Sequence, residues 1–305
     1  MAVALGACLA LAVLGVWLFD ADPPLPADLR GLVVYVSDRE GADALYALRL
    51  PDGEERRLAR TPDPAREPAL SPDGARVAFS TGGRIALADV KTGAVRVLTL
   101  GVERRDAAPA WAPDGRSLVI CSRAAAETNA DLHLLTLPEN ADAKVERRPL
   151  TVTPGLDERG PVFAPDGAAV VFSREDSIVR LELADGRARR LTSGMRRAHA
   201  PVFRPDGRLL YLWSSGKQFG LDAFAPDVKE REALSTGTAF YRRVAPSPDG
   251  RYLLATFSYD LGFHPLDAFK ARQTEELHLL DARGVPLGVL RRSRRHSYHS
   301  PTWGR

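Results

Sequence analysis

Cysteine is nearly absent. The two in 305 residues are Cys8, inside an apolar N-terminal run, and Cys121, inside a predicted strand. Two residues so placed cannot pair, so disulfides do not stabilise this fold. Nucleophile and metal signatures are absent too. There is no Gly-x-Ser-x-Gly elbow, no Walker loop, no His-Glu-x-x-His and no Cys-x-x-Cys. Histidine is sparse, with six copies at His133, His199, His264, His278, His296 and His299. The net charge is only +3, so no bulk excess of either sign points to nucleic acid. With 45% apolar and 27% charged residues the composition is that of an ordinary globular protein.

What the chain does have is a repeated phrase. Pro-Ala-Leu-Ser-Pro-Asp-Gly ends at Gly74, and Pro-Ala-Trp-Ala-Pro-Asp-Gly ends at Gly115. Variants of it end at Gly167, Gly207 and Gly250, so the intervals are 41, 52, 40 and 43 residues. In each copy Pro presets the turn, Asp bonds back to the backbone and Gly takes the left-handed closing position. A short apolar run follows at a fixed offset, such as Val77 to Ser80, Val170 to Ser173 or Leu253 to Thr256. Third strands are expected near Arg84 to Asp89 and Asp131 to Leu137, and a more polar fourth near Val95 to Leu98. A period of about 40–45 residues with four strands per unit is the signature of a β-propeller.

The two ends share a unit. Val33 to Ser37 matches the second strand of the others, with Gly31 at the turn position and no inner-strand segment before it. The missing segment stands at the C-terminus, as Ser300-Pro301-Thr302-Trp303-Gly304. The expected fold is therefore all-β, a six-bladed propeller over 32–305 closed by the C-terminal strand.

These Pro-Asp-Gly repeats resemble those of the TolB-like propellers, relatives of the WD repeat. The resemblance covers Leu32 to Arg305. It implies the propeller fold and an interaction role in the cell envelope, as in the periplasmic Tol–Pal system. Related propellers also occur in prolyl-oligopeptidase-type peptidases and in polysaccharide lyases, so the fold alone leaves function open. The chain departs from TolB in having about thirty residues where TolB carries an α/β domain.

Within those thirty residues, Ala2 to Phe19 holds no charge. As a helix it spans roughly 27 Å, close to a bilayer core. Residues 1–19 are expected to be an uncleaved membrane anchor or a signal peptide. No basic n-region precedes the run and no Ala-x-Ala site closes it, which favours the anchor. Leu5-Gly6-Ala7-Cys8 is similar to a lipoprotein box, but the apolar run continues beyond the cysteine. Residues 20–31, with Pro23, Pro24 and Pro26, are expected to form a stiffened tether. Either reading carries the propeller across the membrane, into the periplasm.

One register carries the functional signal. The residues two before the repeat proline position are Arg66, Ala107, Arg159, His199, Arg242 and His299. Five of the six can be positive, at one level around the axis. Arg243, Arg294, Arg295 and His296 lie in the same loops, reinforced by Arg291 and Arg292. Glu67, Glu103, Asp106, Asp157 and Glu158 are acidic residues expected on the same face. Arginine suits carboxylate and phosphate groups, so this mouth is the candidate binding site. A longer loop, Ser258 to Glu275, is the second candidate surface. No catalytic residue, metal or cofactor is expected. The expected partner is an envelope protein or acidic envelope component, not nucleic acid, met by a monomer. The alternative is a lyase-like enzyme acting on an anionic polysaccharide.

Overall fold

The computed structural model describes residues 24–99, 103–140, 143–194, 196–224, 231–237, 241–258, 274–293 and 295–304. Its strands form six four-stranded antiparallel sheets. Five are consecutive runs of the chain. The sixth, blade one, takes its inner strand Tyr298–Gly304 from the C-terminus and its other three from the N-terminal end. Leu32 pairs with Gly304, Val33 with Trp303 and Ser37 with Tyr298, so the ring closes as expected. The Trp303 indole N–H donates to Arg30 O at 3.0 Å, and Trp111 does the same to Ala69 O of the preceding blade.

The apolar runs are explained by burial on both faces. In Gly31–Ser37, Leu32, Val34 and Val36 pack against Ala65, Val77 and Phe79 of blade two. The alternate residues Val33 and Tyr35 pack against Leu254, Leu277 and Leu279 of blade six. Strands buried on both faces read as continuous apolar segments rather than alternating ones. Six such clusters, one per blade interface, make up the core. The outer strands, such as Val95–Val97 and Ala188–Arg190, are only three residues long and largely exposed, as rim strands should be.

Each Pro-Asp-Gly turn is held by its own aspartate. Asp73 Oδ1 accepts from the Ala75 N–H at 3.0 Å, and Asp114, Asp166, Asp206 and Asp249 repeat the contact two residues on. The glycines that follow all have positive φ, from 67° to 81°. These turns share one end of the axis, because they join the end of each inner strand to the start of its second strand.

The chain enters at that same end. Gly31 pairs with Leu50 beside Gly304, at the turn face. Before it, Leu29 is buried and Leu25 packs on the interface of blades one and six. Asp28 accepts from the Tyr252 hydroxyl at 2.7 Å and pairs with Arg251 at 2.6 Å. The described part of the expected tether thus lies against blade six. The expected anchor, 1–19, lies outside the described residues, and among those described no helix is long and apolar enough to cross a membrane.

Candidate binding site at the channel entrance

Every inner strand is irregular near its start. The ladder to the second strand shifts register between Arg66 and Ala69, Ala107 and Ala110, Arg159 and Val162, and His199 and Val202. Blade one shows the same break, between His299 and Thr302, and in blade six the break comes earlier, between Tyr241 and Arg243. In five blades the residue just before the repeat proline is left-handed: Glu67, Ala108, Gly160, Ala200 and Ser300 have φ of 50–55°. Proline disfavours the right-handed helical region for the residue before it, and a bulge in the opposite hand turns the chain. Blade six has Val244 in place of proline and no left-handed residue there. Left-handed non-glycine residues cost on the order of 1–3 kcal/mol each and concentrate at functional sites.

The bulges gather the ring residues. Arg66, Arg159, His199, Arg242 and His299 line one cavity of about 550 Å³ at the end of the axis opposite the Pro-Asp-Gly turns, together with Arg243. Ala107 leaves blade three without a charged side chain at this level. Arg295 is exposed and outside that lining. His296 lies 3.7 Å from Asp38, too far for a hydrogen bond, and is also outside the lining. Arg294 and residues 259–273 of the long loop fall outside the described residues.

The two arginines expected to reinforce the ring are committed elsewhere. Arg291 binds Glu55 at 2.6 Å on the outer strand of blade one, and Arg292 binds Glu276 at 3.1 Å. The reason is geometric. Pro286–Arg291 is the rim strand of blade six, so the following loop starts at the periphery and reaches the centre only at Tyr298.

The entrance is a ring of ion pairs rather than bare positive charge. Arg66 meets Asp43 at 3.0 Å, Arg242 meets Glu275 at 3.0 Å and Arg243 meets Glu67 at 2.8 Å. Arg159 pairs with Asp157. The partners are not equally placed. The arginine side chains are 41–79% exposed and their carboxylates only 15–26%. The guanidinium groups therefore face the solvent above a deeper acidic layer. His199 adds no charge at neutral pH, because burial lowers its pKa below the ordinary 6.5.

Asp43 and Glu275 escaped the sequence reading, since each reaches the ring from a loop or strand end whose course is set by neighbouring blades. Of the acids expected on this face, Asp106 and Glu158 are buried. Arg147 grips Asp106 with two hydrogen bonds of 3.0 Å, and Arg174 holds Glu158 at 2.7 Å. His133 lies between Arg147 and Arg104, and burial with those two charges lowers its pKa to about 4. His278 stacks on Phe257 and lies 3.0 Å from the Glu276 carboxylate. Both histidines are structural. Cys121 is buried, and burial pushes its thiol pKa far up. Among the described residues no three His, Cys, Asp or Glu side chains are grouped to hold a metal ion.

Fold, repeat and closure now stand beside a family match over residues 32–285, to the TolB beta propeller domain. The chain belongs to that family. A TolB homolog of Chlorobium luteolum is 31% identical over 147 residues, which is 46% of this chain and 30% of that protein. The chain thus matches under a third of the length of that curated relative. TolB from Acinetobacter baumannii superposes with a TM-score of 0.73 at 19% identity, covering 98% of this chain and 71% of that one. An oligogalacturonate lyase in complex with manganese superposes at 0.62 with 15% identity, over 84% of this chain and 73% of that one. At such identities the structural likenesses speak for the fold alone.

Proposed function

We propose that this propeller is a membrane-tethered, periplasmic interaction module that binds an acidic segment of an envelope protein at the channel entrance. The observation that carries the reading is the layering of the ring. Exposed guanidinium groups over deeper carboxylates are already oriented, and their exposed ion pairs hold them with little energy, typically below about 1 kcal/mol each. An incoming carboxylate can take the same forks without breaking buried structure. The likeness to TolB supports a protein partner, and the chain's entry at the turn face supports an entrance directed away from the tether.

The test replaces Arg66, Arg159 and Arg242 with Ser. Arg243 is left in place because it joins two blades. Wild type and variant serve as bait for detergent-solubilised envelope, and the captured partner is titrated at low and high salt. The variant is expected to melt near wild type and to bind at least tenfold more weakly at low salt, with a smaller difference at high salt. Equal binding at low salt rejects the entrance as the site. An enzyme acting on an anionic polysaccharide would use the same charges. Product formation from polygalacturonate that is lost in His199→Ala would replace the binding reading.

A further inference from the structure

Arg105 and Arg123 are direct cross-strand partners in blade three, on Arg104–Trp111 and Ser117–Ala124. Directly opposed residues of an antiparallel ladder project to the same side, with Cβ atoms roughly 5 Å apart, and like charges there are destabilising. The ring arginines Arg66, Arg159, Arg242 and Arg243 each have a carboxylate. Among the described residues neither Arg105 nor Arg123 has one. The matching position of blade five pairs Arg197 with neutral Ser214, and Arg197 reaches Asp176 at 3.6 Å. The next ladder pair of blade three offers no relief, because Asp106 is held by Arg147.

The pair lines a second cavity, of about 410 Å³, separate from the channel entrance. Among the described residues its other walls are Ala124 and Ala125, whose side chains are small. The frame is fixed by backbone bonds, from Ala125 N to Glu103 O at 2.8 Å and from Asp106 N to Gly83 O at 2.9 Å. The stem of Arg105 rests on Gly83, where an added Cβ would lie 3.4 Å from its Cγ. Two forks aimed from one side of a sheet, over a cavity walled by alanine, have the chemistry of an oxyanion site.

We infer that this cavity binds a phosphate group. A carboxylate has one pair of oxygens, which a single guanidinium fork satisfies. A tetrahedral phosphate presents two oxygen edges, one for each fork, and a charge of about −1.5 to −2 that matches the pair. The group can come from a free phosphate compound or from the monoester headgroup of phosphatidic acid, each of which keeps three terminal oxygens.

The experiment compares wild type with Arg105→Ser/Arg123→Ser, and uses Arg242→Ser to separate this cavity from the entrance. Calorimetric titration with inorganic phosphate, and with acetate, is run in low-salt buffer. Titration with the soluble short-chain lipid dihexanoyl phosphatidic acid, and with dihexanoyl phosphatidylcholine, distinguishes the two sources. Wild type and Arg242→Ser are expected to bind phosphate more tightly than acetate and to melt higher in its presence. The double variant is expected to bind phosphate at least about tenfold more weakly, since each charge-assisted fork contributes about that factor. Without phosphate it should melt no lower than wild type, because a repulsive pair has been removed. Tighter binding of dihexanoyl phosphatidic acid than of phosphate by wild type, lost in the double variant, assigns the group to a headgroup. Phosphate binding with no gain from the lipid assigns it to a small compound. Equal phosphate binding by wild type and double variant, tighter binding of acetate, or a double variant that melts below wild type overturns the inference.

Discussion

Glu67 and Arg243 meet at 2.8 Å across the channel entrance, joining blade two to blade six past the blade that closes the ring. Glu67 also accepts the Ala108 backbone N–H at 2.7 Å, so one left-handed residue serves three blades. The two contacts differ in weight. The ion pair is partly exposed and contributes little. The backbone N–H loses its acceptor if the carboxylate goes, which costs about 1–3 kcal/mol. Glu67→Ala is therefore expected to destabilise by that amount and Arg243→Ala by less than about 1 kcal/mol. A double-mutant cycle in urea checks this. An Arg243→Ala loss as large as that of Glu67→Ala would reject the ranking.

Closure should dominate stability. Trp303 is 9% exposed and its indole is bonded to Arg30. Trp303→Ala is expected to cost about 3–5 kcal/mol. Deletion from Ser300 onward, which also removes most of the ladder to Gly31–Ser37, is expected to cost more. Denaturant midpoints of the two variants measure it, and unchanged midpoints would rule out the pairing of the termini.

Acid should weaken the fold before its carboxylates titrate. His133 has a folded pKa of about 4 against an ordinary 6.5. Between those values the unfolded chain binds the extra proton and the folded chain does not, so stability falls as pH drops from about 6.5 to 4. At about 1.4 kcal/mol per pKa unit the loss is roughly 3 kcal/mol. Glu276 extends the loss to lower pH. Burial alone would raise its pKa, but the hydrogen bond with His278 and the charge of Arg292 leave it lowered. Urea unfolding of wild type and His133→Gln at pH 7 and pH 5 tests the histidine. The variant should show the smaller pH dependence.

Placement has its own test. The uncharged run from Ala2 to Phe19 is expected to hold the protein in the membrane fraction, with the propeller outside the cytoplasm. Protease added to intact spheroplasts should then degrade the propeller. Full protection would refute this topology.

The fold was legible because its signals are local. Asp73 caps the turn it belongs to, and the same letters recur at the four equivalent turns. Register then carried the argument from Pro68 or Pro201 back to Arg66 or His199, which share the entrance cavity. The partners were not legible, because they are long-range. Nothing near Asp43 in sequence says that it will meet Arg66 and lie 3.7 Å from His299. Asp106 and Glu158 looked like surface acids because Arg147 and Arg174 lie on other strands of their sheets. The left-handed residues were only half legible, because a following proline excludes the right-handed helical region in five blades but points to extended backbone, and the bulge that selects the opposite hand shows only in the ladder.

The entry of the chain beside blade six also sets how the molecule bears mechanical load. Tension on the polypeptide upstream of Pro24 does not fall first on the ladder that closes the ring. It meets Asp28, clasped by Arg251 and Tyr252, and the buried side chain of Leu29. Only when those yield does the pull reach Gly31, which pairs with Leu50 on one side and whose neighbour Leu32 pairs with Gly304 on the other. Under such a pull the segment acts as a strain relief, shielding the seam between the two ends of the chain.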